Sequence, residues 1–142
     1  MNTQLVLSPN QKKAALTLLE GIAGGRVLVL HGAPGSGKTT ILRHVHKERG
    51  GAFIAVRALN AAVEGAFLRA IEEAIYAHDL VLVDDLHLVS SAAGTSTRRY
   101  LLDAALTSLL GEASVLNKTI VFALRGGAPW SIGRRAITWS ID

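Results

Sequence analysis

Residues 31–40 read HGAPGSGKTT, with three glycines and a proline in ten positions. They lie between the apolar run VLVL (27–30) and ILRHVHKER (41–49), whose spacing is helical. Glycine loses more backbone freedom on folding than any other residue, so such a stretch is kept only where side chains forbid the backbone path. Gly32, Gly35, Gly37, Lys38 and Thr39 fit the pattern G-x-x-x-x-G-K-[ST], and the strand before it and the helix after it supply the context the pattern requires. In that setting main-chain N–H groups turn inward around an anion. Lys38 reaches the outer phosphates, the Thr39 hydroxyl meets Mg²⁺, and the helix opening near Gly37 adds its positive dipole end. The candidate nucleotide-binding set is therefore Gly32, Ala33, Pro34, Gly35, Ser36, Gly37, Lys38, Thr39 and Thr40.

A second signal lies downstream. LVLVDD ends in Asp84 and Asp85, which places carboxylates at the carboxyl end of a buried strand, where ligands of open α/β sheets bind. Asp84 is the candidate for holding Mg²⁺ from the side opposite Thr39.

The rest of the chain fits around these two motifs. Ser8-Pro9 is a helix-start signal, and the helix it opens is expected to run to Gly24-Gly25. Strands are expected at 27–30, 52–56, 80–84, 119–124 and 136–141, and helices at 38–49, 61–78 and 98–110. Strands that are apolar along nearly their whole length and alternate with helices make a parallel sheet covered on both faces. The expected fold is α/β, a three-layer αβα sandwich of the P-loop NTPase kind.

Composition narrows the class further. The 142 residues are 49% hydrophobic and 18% charged, enough for one sizeable core in a single domain. No apolar run approaches the roughly 18 residues of a membrane helix, and the N-terminus does not read as a secretory signal. A cytoplasmic protein is expected. Without cysteine there are no disulfides or thiolate metal sites. The net charge of +4 suits nucleic acid, nucleotide phosphates or an acidic protein. The basic residues are scattered, however, and no aromatic residues interleave with them as a stacking platform would need. His44 and His46 stand two apart on a helix and so face different ways, which argues against a metal pair.

With both motifs in hand, the chain resembles the AAA+ ATPase core, and within it the AAA group. VLVLHGAPGSGKTTILRHV is similar to that group's first strand, phosphate loop and helix, and GAFLRAIEEAIYAHDLVLVDDLHLV to its helix and magnesium strand. TIVFALRGGAP resembles the sensor strand, and SIGRRAITWSI the arginine-finger region and last strand. The resemblance implies strand order 5-1-4-3-2 and a core spanning residues 1–142, the large αβα subdomain. A helical lid is not expected within these residues. It also implies Mg-dependent ATP hydrolysis driving the remodelling of a macromolecular partner, usually a protein, by a ring of like or unlike subunits.

Carried onto this chain, the water-polarising position is Asp85, where the family normally has glutamate. Arg125 falls at the sensor, where a polar residue such as asparagine or threonine is usual, and is read either as a contact to the terminal phosphate or as a solvated loop cation. Arg134, ahead of its neighbour Arg135, is the candidate finger completing an adjacent subunit's site. Residues 58–65 lack the aromatic pore loop of many remodellers. Two readings stay open: an ATPase, slowed by Asp85, and a regulatory or scaffold subunit that binds ATP with little or no hydrolysis. Small-molecule phosphoryl transfer lacks an evident acceptor pocket. GTP is disfavoured because NKTI (117–120) has no aspartate for guanine.

Overall fold

A computed structural model describes residues 7–22, 26–32, 36–56, 64–85, 96–124 and 136–141, with the backbone alone for 64–65, 96–102 and 136–141. In chain order the elements are α1 (Pro9–Gly21), β1 (Val27–Gly32), α2 (Lys38–Arg49), β2 (Ala52–Ala55), α3 (Glu64–Ala77), β3 (Leu80–Asp84), α4 (Ser96–Val115), β4 (Thr119–Leu124) and β5 (Ala136–Ile141).

The five strands form one sheet in the order β2-β3-β4-β1-β5, and every neighbouring pair is parallel. This is the 5-1-4-3-2 arrangement read from the opposite edge. Although the strands are apolar along most of their length, successive side chains still point to opposite faces, and the core divides accordingly. Val27, Val29, Val81, Val83, Ile120 and Phe122 pack with Phe67, Ile71 and Ile75 of α3 and Leu106 and Leu110 of α4. Leu28, Leu30, Leu80, Leu82, Val121 and Ala123 pack with Ala15 and Leu18 of α1 and Ile41, Leu42 and Val45 of α2. The result is the expected three-layer sandwich.

Several boundaries differ from the sequence reading. β1 runs two residues further, through His31 and Gly32, because both stay in register with β5 at Ser140 and Ile141. β2 stops at Ala55, one residue early, where its pairing with β3 ends at Asp84. α3 begins at Glu64 in the described residues. α4 starts two residues earlier than expected and continues past Gly111 to Val115. A helical glycine costs about 1 kcal/mol relative to alanine, which the burial of Ala113, 1% exposed, offsets. Asn117 at φ 60° then turns the chain into β4.

Because the sheet is parallel, the carboxyl ends of β1 at Gly32, β3 at Asp84 and β4 at Leu124 share one edge, with β4 between the other two. That edge carries the candidate site.

Candidate functional site

Gly37 is the N-cap of α2 and takes φ 94°, ψ 22°, a left-handed conformation that side chains rarely adopt. The peptide turns sharply there, and Lys38 begins the helix with its side chain folded back toward β1. Lys38 is 9% exposed, and its Nζ donates to the Gly32 carbonyl at 2.6 Å. A buried ammonium is costly unless hydrogen-bonded or paired. The amine is thus held at the mouth of the loop, beside the strand end from which the loop departs.

One residue on, the Thr39 hydroxyl donates to Asp84 Oδ2 at 2.7 Å, joining α2 to the end of β3. Asp84 is 3% exposed, and its other oxygen, Oδ1, accepts from the Asp85 backbone N–H at 3.0 Å. The carboxylate is fixed at both oxygens. Asp85 is half-buried and has φ 58°, a region that aspartate visits more readily than most residues. Thr40 is half-buried in the first turn of α2. Lys38 and Thr39 therefore converge on one edge of the sheet with Asp84, more than forty positions away in sequence. Ala33, Pro34 and Gly35 lie outside the described residues, as do Arg125 and Arg134.

The donors here suit a triphosphate and its cation. A hydroxyl and a carboxylate are hard oxygen ligands of the type Mg²⁺ takes, with phosphate oxygens and water completing the shell. The loop is also built for close approach. A Cβ on Gly32 would stand 2.3 Å from Ser36 Oγ, and that hydroxyl oxygen is buried with no hydrogen-bond partner among the described residues. Among those residues no cluster of three or more His, Cys, Asp or Glu could hold a metal ion.

Sequence reasoning missed Gln11. It is the third residue of α1 in a reciprocal capping box: Ser8 Oγ accepts from Gln11 N at 3.2 Å, and Ser8 N donates to Gln11 Oε1 at 3.0 Å. Its remaining group, Nε2, donates to the Ser36 carbonyl at 3.0 Å. The S-x-x-Q spacing signals the box; no local pattern signals the reach to residue 36.

Outside the site, an ion pair among the described residues joins Lys118 Nζ to Asp79 Oδ1 at 2.8 Å, at the opposite, amino edge of the sheet. The hydrogen bond from Lys118 and its charge hold the Asp79 carboxyl below its ordinary value of 3.8.

Comparison with known proteins places this geometry. The family model described as "ATPase family associated with various cellular activities (AAA)" matches residues 28–134. No curated protein matches the chain. Among solved structures, domain III of the Thermotoga maritima replication initiation protein DnaA superposes with a TM-score of 0.64 at 16% identity, covering 100% of this chain and 68% of that one. A replication initiator DnaA bound to AMPPCP and single-stranded DNA gives 0.62 at 18% identity, over 98% of this chain and 48% of that one. AMPPCP-bound DnaA from Aquifex aeolicus gives 0.57 at 17% identity, over 96% and 48%. The chain thus spans about half the length of the two nucleotide-bound proteins, and at these identities the likeness is one of fold. The family match takes in well over half of the 142 residues, and no helix among the described residues is long and apolar enough to cross a membrane. From its phosphate loop, its β3 carboxylates and this match, the chain belongs to the ATPase family associated with various cellular activities (AAA).

Proposed function

We propose that this chain binds Mg-ATP at residues 32–40 and hydrolyses it to ADP and phosphate to drive the remodelling of a macromolecular partner. The observation that carries this reading is the convergence of Lys38, turned back to Gly32, with Thr39 and Asp84 at the carboxyl edge of the sheet.

In this reading the outer phosphates of ATP take the Lys38 ammonium over from the Gly32 carbonyl, exchanging a neutral acceptor for an anionic one. Main-chain N–H groups of the loop and of the first turn of α2 line the same anion. Thr39 and Asp84 hold Mg²⁺, which when bound neutralises charge on the phosphates. The Asp85 carboxylate orients and polarises the attacking water. Arg125 contacts the terminal phosphate, and Arg134 reaches into a neighbouring subunit's site, where a guanidinium stabilises charge on the transferring phosphoryl group. Assembly into a ring follows from that shared site. A partner that is a nucleic acid draws support from the +4 charge and from the DNA-bound structural neighbour.

A second reading, a subunit that binds ATP and hydrolyses it poorly, is favoured by Asp85. Aspartate is one methylene shorter than glutamate, withdrawing the carboxylate by roughly 1.5 Å, and misplacement by about 1 Å can cost ~10²-fold in rate. The backbone N–H of Asp85 is already committed to Asp84, which limits compensating movement. ATP turnover and ATP affinity, measured together in wild type and in Asp85→Glu, separate the two. Tight binding with no turnover, restored by the glutamate, establishes the regulatory subunit, while measurable wild-type turnover establishes the ATPase. Lys38→Ala is expected to bind ATP at least 10-fold more weakly, since a hydrogen-bonded charge contributes about 1.5–3 kcal/mol. Undiminished binding by that variant would exclude both readings.

A further inference from the structure

We infer that Gln11 is a positioning residue of the phosphate loop, holding one main-chain N–H of the loop toward the bound phosphates from outside. This inference rests on the proposal that residues 32–40 bind nucleotide.

The Gln11 amide is fixed at both ends, its Oε1 accepting from Ser8 N and its Nε2 donating to Ser36 O, each at 3.0 Å. The Ser36 carbonyl therefore points at α1. The described chain contains no cis peptide, and in a planar trans peptide the C=O and N–H point in opposite directions. With its carbonyl tied to Gln11, the Ser36–Gly37 peptide must aim the Gly37 N–H away from α1. Gly37 is also the residue against which the Gln11 amide lies: a Cβ there would stand 2.2 Å from Nε2 and 2.8 Å from Cδ. Bare backbone at 37 and an amide at 11 thus fit one another, and the cap of α1 becomes a brace for the loop.

Glutamate at position 11 separates this role from helix capping. S-x-x-E is as good a capping box as S-x-x-Q, so the tie to Ser8 survives. Facing Ser36 O, however, a carboxylate oxygen replaces a donor and repels the carbonyl. Protonation of the introduced carboxyl restores a donor. An ordinary glutamate titrates near 4.3; the Ser36 carbonyl raises that value, while the Ser8 N–H and the amino end of α1 lower it.

The test is ADP affinity by calorimetry on the full chain. Gln11→Glu is expected to bind ADP about tenfold more weakly than wild type at pH 8, with nucleotide-free thermal unfolding lowered by no more than the loss of one hydrogen bond. The ratio to wild type is expected to narrow as pH falls toward 4, a signature that general damage does not produce. Gln11→Met, which has no polar group, should show similar weakening without the pH dependence, and serves if the glutamate variant does not fold. Affinity of Gln11→Glu within twofold of wild type at pH 8, or a deficit equal at both pH values, overturns the inference. Failure of wild-type protein to bind ADP, or equal binding by Lys38→Ala, overturns the nucleotide-site reading beneath it instead.

Discussion

Alanine at position 37 would have to hold φ 94° and place its Cβ 2.2 Å from Gln11 Nε2. A left-handed alanine costs about 1–2 kcal/mol, and displacing a packed, hydrogen-bonded amide adds ~1 kcal/mol or more, so Gly37→Ala should lower stability by both together in denaturant unfolding. With Gln11 also replaced by alanine, the same substitution should cost only the backbone share, and equal losses in the two backgrounds would mean that Gln11 yields freely. The phosphate loop was legible in the sequence because its residue types answer local demands: bare backbone at Gly32 and Gly37, an ammonium at 38, a hydroxyl at 39. Asp84 was legible from its place at the end of an apolar run. Gln11 was not, because its loop partner lies 25 residues away, and the sequence records only its capping role.

Ser8 and Gln11 together close the amino end of α1. Replacing the capping hydroxyl by alanine typically costs about 1 kcal/mol, so Ser8→Ala should lower unfolding stability by that order in a denaturant titration. At the amino edge of the sheet, Lys118 holds Asp79, tying the start of β4 to the start of β3. Because Lys118 lowers the Asp79 carboxyl below 3.8, the native state binds that proton less tightly than the unfolded chain. The pair therefore contributes stability above pH 3.8, and loses it as pH falls through the lower native value. Lys118→Met should melt slightly below wild type at pH 7, with the gap narrowing as pH is taken down through that window. A gap independent of pH would assign the effect to packing. Asp79 is 94% exposed in its side chain, so the effect is small and shrinks with added salt. At this scale the order and kind of elements followed from apolar spacing and glycine punctuation. The end of α4 did not, because the helix continues past Gly111 to bury Ala113.

Strand order is a property of the whole molecule that periodicity alone does not hold. The central strands are apolar on both faces and would pack beside one another in several orders, so β2-β3-β4-β1-β5 was legible only through the family resemblance. The order matters because it sets β1 and β3 on either side of β4, leaving Gly32 and Asp84 one strand apart at a common edge. A ligand held by Lys38, Thr39 and Asp84 would therefore join β1, α2 and β3, elements drawn from both halves of the chain. Ligand that binds only the native state stabilises it by about 2.7 kcal/mol at 100 times its Kd. For a domain near 150 residues that corresponds to a melting-temperature rise of roughly 5–10 °C. Mg-ADP at that excess should raise the wild-type midpoint by this amount in a single transition, since unfolding any one of the three elements would dismantle the site. Lys38→Ala should show little or no rise at the same concentration. Two separated transitions, with only the later one moved by nucleotide, would mean that the ligand secures one part of the sheet while the rest melts independently.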